Sequence, residues 1–112
     1  MIGWAGLVTA SVIIVIADVA VSDAYESLIY DHEVAAECGL LSADARGSFR
    51  RARDDLAARS NLEPDALKAL RLSAIVRAMR EYDNRGLGGY KAWCKQDGKA
   101  GVARIIAADP LK

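Results

Sequence analysis

The stretch GLVTASVIIVIADVAVS, residues 6–22, constrains this chain most, because it decides how much of the sequence can build an ordinary core. No side chain before Asp18 is charged, and Ile2–Ala17 is an unbroken run of 16 apolar or small residues. A bilayer-spanning helix needs about 20 such residues, and the apolar region of a signal peptide about 7–15. The run falls between the two. Small-residue patterns suited to cleavage follow it: Val15-Ile16-Ala17, Ala20-Val21-Ser22 and Ser22-Asp23-Ala24. No Lys or Arg precedes it, as a standard signal peptide would require. An anchor could borrow Asp18–Ser22 at one interface and set Trp4 at the other, where Trp prefers to sit. Val12–Ile16, β-branched throughout, also reads as a buried strand, but nothing else in the chain offers strands to pair with it. Signal peptide and uncleaved anchor therefore both stay open. Either carries the remainder out of the cytoplasm.

The domain organisation expected is a signal peptide or single membrane anchor over 1–22 and a helical domain over 23–112. That domain of about 90 residues buries roughly 60–65% of its unfolded surface, so its core is thin and a cross-link would help it. Abundant Ala, two prolines and few aromatics favour helix over sheet. The formal net charge is zero, which argues against a general nucleic-acid binder. The charges are nonetheless segregated. Residues 18–37 hold six acids and no base, while 85–112 hold six bases against Asp97 and Asp109. These excesses can attract each other within one fold or between molecules.

After Ser22 the apolar residues recur at helical spacing: Tyr25, Leu28, His32 and Ala35, with Ile29 and Ala36 beside them and the acids opposite. Cys38-Gly39 ends that helix, since Gly tolerates the left-handed cap. A second helix begins near the N-cap Ser42, with Asp44 in its first turn and an apolar line of Ala45, Phe49, Ala52 and Leu56. Arg50–Asp54 and Arg51–Asp55 stand four apart on its charged face, and Gly47 costs it about 1 kcal/mol relative to Ala. Pro64 opens a third helix that reaches Tyr82. Its main apolar face is expected to be Ala69, Leu72, Ile75, Val76 and Met79, with Leu67, Ala74 and Ala78 as a weaker stripe; two stripes suggest a central helix. DNRGLGG ends it. YKAWCKQDG makes two turns, and KAGVARIIAADP a last helix closed by Pro110. The fold class is all-α, a small bundle of four to five helices.

Cys38 and Cys94 are the sharpest local feature. In an oxidising compartment such a pair is expected to form a disulfide. The alternative is two unrelated buried thiols in a cytosolic protein. Neither lies in a Cys-x-x-Cys, so redox catalysis is poorly supported. His32 has Asp31, Glu33 and Glu37 near it in sequence, but on a helix Asp31 and Glu33 point about 100° to either side of it. A packed histidine is the simpler reading than a ligand in a metal- or haem-linked enzyme. A Ser-His-Asp triad has no serine nominated by the sequence. RGLGGYK lacks the spacing of a phosphate loop and reads as a turn. YKAWCK interleaves aromatics with lysines as single-strand binders do, yet aromatics beside a disulfide are more simply its packing partners. RGSFRRARDDLAAR carries matching acids and reads as a solvated face, with contact to anionic lipid a secondary reading. No catalytic residue, cofactor site or metal site is nominated.

The layout of apolar N-terminus, helix closed by Cys38-Gly39, Arg-rich helix, Pro-started helix, Tyr90 and Cys94 resembles small, uncharacterised alpha-helical periplasmic proteins of alphaproteobacteria. The resemblance covers residues 25–95 and implies an envelope location with no known activity. The function expected is that of an exported, non-enzymatic binding, structural or inhibitory partner of another envelope or membrane protein. The alternative is a single-span accessory subunit of a membrane complex, held in the membrane by residues 1–22 and satisfying Asp18 there.

Overall fold

Gly39 and Asn61 set the first two turns of the chain. Gly39, at φ 68°, closes helix α1 (Ile2–Glu37) in a Schellman arrangement: Leu40 N–H donates to the Ala35 carbonyl at 2.9 Å and Gly39 N–H to Ala36 at 3.1 Å. Asn61, at φ 58°, closes α2 (Ala43–Ser60), whose start is capped by Ser42 Oγ accepting from Ala45 N–H at 3.1 Å. Helix α3 (Pro64–Asn84) opens on its proline. The last segment is continuous helix: α4 (Tyr90–Trp93), a π-helical turn (Cys94–Gly98) and α5 (Lys99–Ala108), which stops before Pro110. This computed structural model describes the backbone of residues 2–85 and 88–112, and side chains from Val19 onward within those ranges. All regular structure among the described residues is helical.

Helix α1 is the centre of the bundle and packs against α2, α3 and α5. Its partners on α3 advance in step along both helices. Tyr25 meets Arg71, Glu26 meets Ser73 and Arg77, and Tyr30 meets Glu81, so α3 runs parallel to α1. Helix α5 runs the other way, with Gly98 beside Cys38 and Arg104 beside Asp31. One core cluster joins Tyr25, Leu28, Ile29, Phe49, Ala52, Leu56, Ala74 and Ile105; a second, smaller one joins Val34, Ala78 and Trp93 beside the cysteines.

The apolar line expected of α2 is the one buried: Ala45, Phe49, Ala52 and Leu56. Two expectations are corrected. The central helix is α1, and α3 lies at the edge. The burial of α3 is also largely inverted: Ala74 and Ala78 are fully buried, while Leu72, Val76 and Met79 are 52%, 42% and 51% exposed; of the expected main face, Ile75 packs on the core. Alanines let the two helix backbones approach closely, and the tyrosines of α1 fill the space beside them. Helix α1 also runs through residues 22 and 23 without interruption, and Val21 packs on the core. The expected signal or anchor segment falls mostly on residues 1–18, outside the described side chains. Among the described residues, no helix is long and apolar enough to cross a membrane.

Candidate functional site

The structure brings Cys38 and Cys94 together at disulfide distance, 5.4 Å between Cα atoms and 56 positions apart in sequence. Trp93 and Tyr82 pack beside them, ring centroids 6.1 Å apart, and the Arg85 guanidinium lies 4.9 Å from the Trp93 ring centroid. The aromatic at 93 is thus a packing partner of the cysteines rather than a stacking platform; Tyr90 is more exposed, 5.8 Å from Tyr82. Gly86 and Leu87, within the RGLGGYK turn, lie outside the described residues.

His32 stacks on Phe49, ring centroids 3.9 Å apart and planes 23° from parallel. Glu33 is closer than its helical position suggested, with Oε1 3.6 Å from His32 Nδ1. Burial pushes the imidazole below its ordinary pKa, and the Glu33 carboxylate opposes that only in part. No group of three or more His, Cys, Asp or Glu suited to hold a metal occurs among the described residues.

Two acid–base clusters join distant segments, and the sequence signalled only the broader charge attraction behind one of them. Asp31, expected with the exposed acids, is buried against α5 and accepts from Arg104 Nε at 2.9 Å and Nη2 at 2.8 Å. The bond to Asp31 raises the guanidinium pKa further. A cleft of about 200 Å³ beside this pair is lined by Ala24, Ser27, Leu28 and Ala108. It is smaller than the roughly 300–1,000 Å³ of sites for organic ligands. At the chain's other end Asp109 accepts from Ser48 Oγ at 2.8 Å, Leu111 N–H at 3.0 Å, and Arg51 Nη2 and Nε at 2.7 and 3.0 Å. Arg51 therefore serves Asp109 rather than Asp55, which pairs with Arg59 instead. Arg51 first, then the other donors, holds the Asp109 carboxyl well below the usual carboxylate range. Tyr30 donates to Glu81; burial and that bond push its phenol up to about 12.

These polar groups satisfy one another and tie helices together. Of the exposed large apolar side chains among the described residues, three gather on one face, the α3 stripe. Leu72, Val76 and Met79 lie nearly opposite Ala74 and Ala78 by the 3.6-residue helical turn, so they point away from α1. Exposed Ala69 continues the line, and a groove bounded by Leu72, Ser73, Val76, Arg77, Arg80 and Glu81 runs beside it. Comparison of the chain with protein-family models, curated proteins and solved structures finds no match.

Proposed function

We propose that this chain is an extracytoplasmic, non-enzymatic binding module, held at the membrane by the N-terminal half of its own first helix. The observation that carries the binding role is the outward apolar stripe of α3. Three large side chains in line on an edge helix are an unusual use of apolar surface unless something covers them. The buried polar side chains support the same reading, because Asp31, Asp109 and Ser48 are engaged in structural pairs.

The continuity of α1 supports the tether over cleavage at two of the three candidate sites, those after Ser22 and Ala24. Cleavage after Ser22 or Ala24 would remove Val21, which packs on the core, and leave the buried Tyr25 at or near a new charged terminus. A single span of this kind makes the chain an accessory subunit or partner of another membrane protein. The N-terminus of the native protein tests it. Mass spectrometry of the membrane fraction is expected to find residues 1–22 intact. A mature protein starting near Asp18, Asp23 or Tyr25 would restore the secreted form. A fusion of residues 1–30 to a reporter active only outside the cytoplasm should be active, and a cytoplasmic reporter would sink the location.

A further inference from the structure

We infer that the outer face of α3 receives a second copy of this chain, docked side by side and parallel. The inference builds on the tether reading for its orientation only. Ala69, Leu72, Val76 and Met79 follow the 3-4-3 spacing of a heptad seam, with Ala69 and Val76 at a and Leu72 and Met79 at d. A β-branched residue at a with Leu at d is the preference of parallel two-stranded pairs. Asp65 and Asp83 occupy the next seam positions and close it at both ends.

The flanking positions do not oppose the same pairing. In register, Lys68 at g faces the partner's Ser73 at e, and the partner's Arg80 at e faces the edge of Ile75 at g, which packs on its own core. No like charges meet at those flanking positions, whereas Asp65 and Asp83 each face their own copy and so set the ends of the seam. Lys68 and Arg80 each lie within a turn of the partner's Asp65 and Asp83 respectively, where they offset the acids at the seam ends. Leu72 of one copy, as a d-position knob, meets a hole made by Ala69, Leu72, Ser73 and Val76 of the other; three of those four already line the groove.

Orientation separates this occupant from a lipid surface. The stripe runs along α3, and α3 is parallel to α1. A helix aligned with a membrane-crossing α1 stands off the bilayer rather than lying in it, so the stripe cannot bury its length among headgroups. Two copies inserted in the same direction have parallel α1 helices and therefore parallel α3 helices. Because α3 packs principally on α1, its outer face meets a neighbour without obstruction from α2 or α5. Four seam layers bury less than the roughly 1,200–2,000 Å² of stable solution complexes. The pair is accordingly weak in solution and depends on shared tethering to raise its effective concentration.

The test is cross-linking of the full chain in its own membranes with a short bismaleimide, which leaves the Cys38–Cys94 bond unreacted. Leu72→Cys and Val76→Cys are each expected to give a covalent dimer of this chain, whereas Asp54→Cys, exposed on α2 rather than on the seam, gives none. Adding Val76→Glu to Leu72→Cys should cut the dimer yield at least tenfold with helicity unchanged. Seam cysteines linked no better than Asp54→Cys, or linked only to a different protein, would overturn the second-copy proposal. Efficient linkage only in mixtures of Leu72→Cys with Val76→Cys chains would show an antiparallel pair and overturn it too. Dimer formed by chains that do not sediment with membranes would support the seam and refute both the tether and the pair's dependence on it.

Discussion

Asp31 and Arg104, 73 positions apart, meet through two parallel hydrogen bonds that fix α5 against the middle of α1. The Asp31 side chain is 7% exposed and that of Arg104 60%, so the guanidinium acts as a lid over a buried carboxylate. Arg104→Ala strands that carboxylate and should lower stability by about 1–3 kcal/mol. Arg104→Lys should recover only part of it, because an ammonium cannot reproduce the planar fork. Chemical denaturation at neutral pH measures both, and a Lys variant equal to wild type would show that charge alone matters.

Asp109 sets an acid limit on the fold. Its folded pKa is depressed by Arg51 and the other donors, so the unfolded chain binds the extra proton as pH falls. The stabilisation is fully present above the ordinary carboxylate range, about pH 4, and fades as pH drops through and below it. Asp109→Asn should be less stable at neutral pH and lose less between about pH 5 and pH 2. Parallel stability curves for the two proteins over that range would contradict the assignment.

The α2 face and the Gly39 cap were legible because size, spacing and turn chemistry agree there: Phe49 and Leu56 mark the same side as Ala45 and Ala52. On α3 they conflict. Hydropathy weights Leu72, Val76 and Met79 above Ala74 and Ala78, yet backbone approach to α1 selects the alanines. The polar clusters were harder. Asp109 reads as the residue before a terminating proline, and nothing local announces that Ser48 and Arg51, 61 and 58 positions away, converge on it. Asp31 is one acid among six until α5 docks, although the opposed charge excesses foreshadowed that attraction.

His32 should reveal itself nearer neutrality. Burial against Phe49 lowers its folded pKa, so stability is lost as pH falls through the unfolded value, about 6.5, and the loss stops below the folded one. Glu33 and Arg53 are the charged groups facing the ring. His32→Gln should flatten the stability curve between pH 7 and pH 5 while leaving partner binding within a few-fold. An unchanged slope there would remove His32 as its source.

The same substitution at two glycines should have opposite signs. At Gly47, inside α2, a Cβ would meet only the Arg51 guanidinium, 3.4 Å away, which is ordinary contact. Gly47→Ala should therefore gain up to about 1 kcal/mol of helix propensity. At Gly98 a Cβ would lie 3.0 Å from Leu40 Cδ1 and 3.2 Å from Cys38 Sγ. Leu40 can swing aside, but a sulfur bonded to Cys94 cannot. Gly98→Ala should cost about 1–3 kcal/mol, and a gain there would show the C-terminal helix seated less tightly on α1.

The Cys38–Cys94 bond carries the largest single effect expected. It joins the residue after α1 to the first residue of the π-helical turn, at the end of the bundle where the smaller core cluster gathers Val34, Ala78 and Trp93. Closing a loop across 56 positions is worth about 4 kcal/mol by chain entropy, and a thin core depends on it. Reduction or Cys94→Ser should lower stability by about 2–4 kcal/mol, a fall in Tm of about 10 °C or more. The other end of α5 remains held by Arg104 on Asp31 and by the Asp109 cluster. Loosening should therefore be uneven: amide exchange rises over 90–101 before it rises over 102–108, with helix content retained. Two alkylatable thiols in the oxidised protein, or a melting curve unmoved by reductant, would show that the bond is absent or idle and return the chain to a reducing compartment.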